Sequence, residues 1–217
     1  MYASIPAAKH SFISESSTLA LTAIIKGYRG ISLIFGANDN TLVKNVVSEN
    51  EYGIHLASAC LRNTILKNSI VDNSNGVYFF VDSSNNQITA NTITHNNYGV
   101  TLEGAGFNFL TENNITDNTV YGIRLIIRDE YWEQFWANGN QIYHNNFISN
   151  AQQAYDECYN TWDNEYPSGG NYWSDYRGVD INPPDGIGDT PYNITGIDPP
   201  NQDNYPFMNP SGWMTWS

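Results

Sequence analysis

Positive charge is scarce in this chain: nine Lys and Arg stand against 22 Asp and Glu, a net charge of −13 over 217 residues. A surface that tracks phosphates needs the opposite balance, so nucleic acid is a poor partner. Charge of either sign is sparse, at 14% of residues, and Asn, Ser, Thr and Tyr supply the polar surface, as in many extracellular β-solenoids. No apolar run reaches the length of a membrane span. Residues 1–25 lack the basic-then-apolar run of a signal peptide, so an exported form is expected to be mature or truncated. Helical apolar spacing of three and four is missing as well, which excludes a helical repeat.

What is present is asparagine at fixed intervals. Triplets spaced by five recur as Asn40, Asn45, Asn50; Asn63, Asn68, Asn73; Asn86, Asn91, Asn96; Asn108, Asn113, Asn118; and Asn140, Asn145, Asn150. The step between triplets is 23 residues, then 22, then 32 where an insertion intervenes. A self-similar period of that size defines a solenoid in which each repeat is one coil. Apolar residues fall into four columns: Ile31, Ile54, Val77, Val100, Ile123; Leu33, Leu56, Phe79, Leu102, Leu125; Leu42, Ile65, Ile88, Leu110, Ile142; and Val47, Ile70, Ile93, Ile115, Phe147. Each sits in a short period-2 patch, giving about three strands per coil. The expected fold is all-β: a right-handed parallel β-helix over residues 17–159, its core formed by these columns. Asn at each corner tolerates a left-handed backbone and can bond the amide one coil away. Glycines 30, 53, 76, 99 and 122 are expected where φ is positive or where backbones approach closely.

Residues 17–29 keep the spacing without the asparagines, as a degenerate first coil behind a lead-in segment, residues 1–16. From about residue 160 the pattern stops, and a tail rich in Trp, Tyr, Pro, Gly and Asp, 160–217, is expected to form an irregular cap. Cys60 and Cys158 lie about four coils apart, near ~19 Å at a strand spacing of ~4.8 Å, beyond disulfide reach. Intermolecular pairing and free thiols both remain open.

The coil pattern N-x-I-x-x-N-x-I…G-I-x-L resembles the parallel β-helix repeats of the NosD-like and carbohydrate-binding/sugar-hydrolase group. The segments NTWDN, GGNYWSDY, DGIGDTPYNI and DNYPFM resemble the C-terminal module of archaeal cell-surface β-helix proteins. The resemblance covers roughly residues 17–209. It implies a right-handed β-helix and an extracellular, cell-surface setting, and it implies no one activity. Copper handling, suggested by the NosD name, finds no clustered His, Met or Cys: His55, His95 and His144 occupy three different columns.

Four groups of residues are candidates for function. Asp180, Asn182, Asp185 and Asp189 surround glycines as in a calcium loop, although one extra Pro intervenes and the closing Glu is missing; the other reading is an Asx-turn network. Asp72, His95 and Asp117 share one outward column at coil spacing, an acid/base unit suited to glycoside hydrolysis or a solvated row of turn residues. In the insertion at 128–138, Tyr131, Trp132, Phe135 and Trp136 fall on one face of an expected short helix that packs on the wall, meets a partner or stacks on sugar. Trp213 and Trp216 lie past the cap motif, where a monomer is expected to fray and a neighbour to be met. Asn114 and Asn193 head N-glycosylation sequons. The leading expectation is a non-catalytic extracellular protein of an archaeal surface, a sheath, envelope or filament subunit that assembles with itself or with other surface proteins, with calcium as the candidate ion and no organic cofactor. The alternative is a carbohydrate-binding or carbohydrate-degrading protein.

Overall fold

The computed structural model describes residues 3–4, 11–12, 16–130 and 132–216. Three parallel sheets run the length of a solenoid, two of eight strands and one of six. Each coil contributes one strand to each sheet. Thr64–Leu66, Ser69–Val71 and Asn75–Phe80 make one coil, and the next repeats it as Gln87–Thr89, Thr92–Thr94 and Tyr98–Glu103. Like residues stack: Ile70 pairs with Val47 and Ile93, and Val77 with Ile54 and Val100. All four apolar columns are fully buried, so the solenoid has a continuous aliphatic core.

The asparagines form ladders. The side-chain oxygen of Asn63 accepts both the backbone N–H and the Nδ2–H of Asn40, at 2.9 and 3.0 Å. Asn86 does the same for Asn63, and Asn91 for Asn68. Each Nδ2 also donates to a backbone carbonyl, as Asn91 does to Ile65 at 2.8 Å. This satisfies the polar groups buried at every corner.

The left-handed residue is not the asparagine, as expected from sequence, but its predecessor. Lys44, Glu49, Lys67, Asp72, His95, Glu112 and Asp117 all have φ between 54° and 59°. An αL residue turns the chain sharply and lets the next side chain aim inward along the axis. Glycines 30, 53, 76, 99 and 122 serve close approach and have no positive φ: a β-carbon on Gly53 would lie 2.5 Å from the Gly76 carbonyl oxygen and 3.1 Å from the Asn73 amide.

The insertion is also not a helix. Arg128–Glu130 and Glu133–Phe135 pair antiparallel as a hairpin, because alternating charged and aromatic residues suit a two-stranded ribbon better than a single helical turn. The two cysteines are free and buried in the same inward corner as Ala37, Ala105 and Ala137, which leaves neither thiol available to another chain.

Beyond residue 159 the chain closes the last coil. Tyr172–Trp173 adds to one sheet and Thr195–Gly196 to another. The Trp173 ring stacks between Phe147 at 4.4 Å and Tyr192 at 4.2 Å, sealing the core. Two ladders continue into this cap and end on buried aspartates. Asn140 donates to Asn160, whose Nδ2 donates to Asp156; Asn145 donates to Asn171, whose backbone N–H donates to Asp203 at 2.7 Å. The third ends at Asn150, whose amide donates to Gln153.

Candidate functional site

Six of the long strands present one outward residue between their two inward ones. Down the stack that row reads Ser32, His55, Tyr78, Thr101, Arg124, Tyr155. Beside it runs a second row: Arg29, Tyr52, Asn75, Tyr98, Tyr121, Gln152. Parallel in-register pairing turns these into a continuous aromatic and polar face. Part of it is a cleft of about 390 Å³ lined by Arg29, Tyr52, His55, Ala57, Tyr78 and Phe80, among others.

The rings interlock. Tyr52 and Tyr78 lie 5.1 Å apart, and His55 is stacked against Tyr78 at 5.6 Å with an interplanar angle of 12°. Burial drives the His55 imidazolium down to about 4, helped by the Arg29 charge, so this buried histidine is neutral at neutral pH. The Ser32 hydroxyl lies 3.2 Å from its Nδ1. The Tyr78 hydroxyl donates to Glu103 Oε2 at 2.5 Å, and burial followed by that carboxylate pushes the phenol well above its ordinary range. Arg128 donates to Glu103 Oε1 at 3.0 Å and lies over the Phe80 ring. Further along, the Arg124 guanidinium lies 3.9 Å from the Tyr98 ring centroid and donates through Nε to Thr101.

This groove was missed in the sequence. Its signal lies two residues after each glycine, between two stronger apolar columns.

The structure treats the sequence candidates differently. Asp72, His95 and Asp117 are exposed at the left-handed corner positions, outside the groove, and the His95 ring hydrogen-bonds its neighbour Thr94 through Nδ1. In the loop, Asp180 accepts the N–H groups of Asp185 and Gly186, Asp185 that of Ile187, and Asp189 those of Ile181 and Asn182. Those are the bonds of an Asx-turn network, and no three His, Cys, Asp or Glu side chains among the described residues are placed to hold one metal ion. The melting temperature is accordingly expected not to move when EDTA is added. A rise with millimolar calcium, by mass action on the folded state, would assign the loop to a cation instead.

Trp132 stands at the hairpin tip, 99% exposed, with Trp136 exposed and Phe135 half-buried. Tyr131 lies outside the described residues. Trp213 does not stand free at a frayed end: it stacks on His144 at 5.5 Å, in a segment where Ser211 N–H donates to Asn146. Trp216 ends the short 3-10 turn Gly212–Trp216. Asn114 and Asn193 are exposed, and each side-chain oxygen accepts one hydrogen bond, from Asn146 and Gln202. No helix among the described residues is long and apolar enough to cross a membrane.

Coil period, ladders and outward face define the chain as a parallel β-solenoid with one patterned sheet. More particularly, it belongs to the NosD family: residues 4–178 match the family model described as "Periplasmic copper-binding protein (NosD)". No curated protein matches the chain. Its fold is similar to a double mutant of the periplasmic alginate epimerase AlgG, with a TM-score of 0.61 at 21% identity, over 69% of this chain and 34% of that one. It is also similar to the Azotobacter vinelandii mannuronan C-5 epimerase AlgE6 A-module, with a TM-score of 0.60 at 17% identity, over 70% of this chain and 49% of that one. The chain thus spans a third to a half of those proteins.

The copper in the family's description does not fit the residues described. His55, His95 and His144 are dispersed, and both thiols are buried in the core with burial pushing their pKa values up, Cys158 to about 11. Copper needs clustered soft or imidazole donors, and no such cluster is present among the described residues.

Proposed function

We propose that the protein binds a polysaccharide laid along its long-strand face, parallel to the solenoid axis. One observation carries this reading: the groove of Tyr52, His55, Tyr78, Phe80 and Arg29, repeated in weaker form by Tyr98, Tyr121, Arg124 and Tyr155. Pyranose rings present an apolar C–H face to aromatic rings and a rim of hydroxyls to polar side chains, and this face alternates the two. The coil step of ~4.8 Å is close to the length of one sugar unit, so an extended glycan meets a new coil with each residue. The fold relatives named above act on alginate or mannuronan, which supports a carbohydrate for this architecture. The family's periplasmic description supports a setting outside the cytoplasm, where such chains occur.

Self-assembly has less behind it. The C-terminal end is closed by its own cap, with Trp213 folded onto His144. Turnover of the bound glycan is favoured by one feature, a neutral imidazole stacked on a phenol that donates to a carboxylate, a set able to move protons.

Titration calorimetry against a panel of soluble oligosaccharides tests the reading. Tyr52→Ala and Tyr78→Ala are each expected to weaken binding roughly tenfold or more, the loss of about 1.4 kcal/mol of stacking, while Tyr166→Ala on the cap leaves it unchanged. Unaltered affinity in both groove variants would remove the groove as the site. Polymers seen by light scattering, with no glycan bound, would restore the assembly reading.

A further inference from the structure

We infer that the glycan taken by this face is acidic, with Arg29 and Arg124 reading its carboxylates. The inference rests on the polysaccharide reading above and concerns the charge of the ligand.

The chain carries only nine Lys and Arg. Several are neutralised by their own protein: Lys26 by Glu49 at 3.3 Å, Arg62 by Asp39 at 2.7 Å, and Arg128 by Glu103 at 3.0 Å. Among the described residues, Arg29 and Arg124 form no ion pair, and both sit on the long-strand face. Two acids beside that face are already engaged. Glu103 takes Tyr78 and Arg128, and Glu157 takes the Tyr155 hydroxyl and the Ile127 N–H. His55 is neutral. In a protein of net charge −13, two unpaired guanidinium groups therefore stand along its aromatic groove.

Both guanidinium groups are poised for a carboxylate. Arg29 lines the cleft, and its Nε is buried with no hydrogen-bond partner. A guanidinium in the cleft wall without a carboxylate of its own protein leaves its terminal N–H groups to an incoming one. Arg124 is held flat by Tyr98 and by the Nε bond to Thr101, which fixes its planar fork before any ligand arrives. The strand pairing puts the two arginines four coil steps apart, roughly 19 Å at ~4.8 Å each, a run of several sugars. A neutral glycan would use the rings and leave both charges unanswered.

The probe is an oligogalacturonate and its methyl ester, which differ only in the carboxyl charge, titrated at low salt into the full chain. The wild type is expected to bind the free acid at least tenfold tighter than the ester, with the preference shrinking as salt is raised. Arg29→Gln combined with Arg124→Gln is expected to abolish the preference, circular dichroism confirming the fold. Equal binding of acid and ester by the wild type, or of a neutral β-glucan at the same affinity, overturns the acidic inference and leaves the polysaccharide reading intact. So does a preference that survives in the double variant. Binding of none of these glycans overturns both.

Discussion

Asp203→Ala is expected to detach the C-terminal cap from the last coil while the upstream coils stay folded. The carboxylate is fully buried and accepts from the Asn171 N–H, the Trp173 indole and the Tyr205 N–H. Removing it leaves two buried donors, the Asn171 N–H and the Trp173 indole, without that acceptor, at about 1–3 kcal/mol each, and frees the part-buried Tyr205 N–H. Tryptophan fluorescence reports the event directly, since Trp162 and Trp173 are among the largest buried side chains of this end. An unchanged melting profile would mean that stacking alone seals the core. The same residue predicts a pH response. Burial raises the Asp203 carboxyl to about 7 and that of Asp156 to about 6, against the pull of their hydrogen-bond donors. The folded state then holds protons that the unfolded chain has released. This contribution is fully present below the ordinary carboxyl value of ~4 and is lost as pH rises through about 6 and about 7. The cap should melt at a higher temperature at pH 5 than at pH 8, and Asp203→Asn should flatten part of that slope. A cap more stable at pH 8 would contradict it.

Ile93→Asp should have the larger effect on the body of the molecule. Ile93 is fully buried and stacks in register between Ile70 and Ile115. A carboxylate there has no partner and no water, which places the cost above roughly 4 kcal/mol. Because each coil is supported only by its neighbours, losing one separates the stack into two short pieces. Loss of the β-sheet circular dichroism signal, or failure to recover soluble protein, is the expected result. Ile93→Val is the control and should cost about 1 kcal/mol. A stable, soluble Ile93→Asp protein would show that the middle coils are not held by this column.

The coil, its inward columns and its amide ladders could be read in the sequence because they repeat, and repetition makes a weak local signal additive. The helix expected at 128–136 failed because four aromatics fit either a helical face or a hairpin, and only the surrounding sheet decides between them. The αL positions were hidden for a related reason. Lys, Glu, Asp and His occupy them without any shared chemistry, so only the geometry of the following asparagine reveals the turn. The groove was hidden by its own diversity: Ser32, His55, Tyr78, Thr101 and Arg124 share no residue type, although they share one row. Repetition shows what every coil must have, whereas a binding face is made where coils differ.

The ladders also have a direction. Along each ladder an asparagine gives its backbone N–H and one Nδ2–H to the amide oxygen of the next coil toward the C-terminus, and the coil at Asn63 hands on what it received from Asn40, 23 residues before. An added coil in the middle needs no new chemistry at either end, since Ser17 N–H still meets the first oxygen and Asp156 and Asp203 still meet the last donors. Reach is therefore quantised: duplicating one 23-residue unit lengthens the molecule by a single strand spacing and adds one new outward position to each row, free to vary while its framework is copied intact.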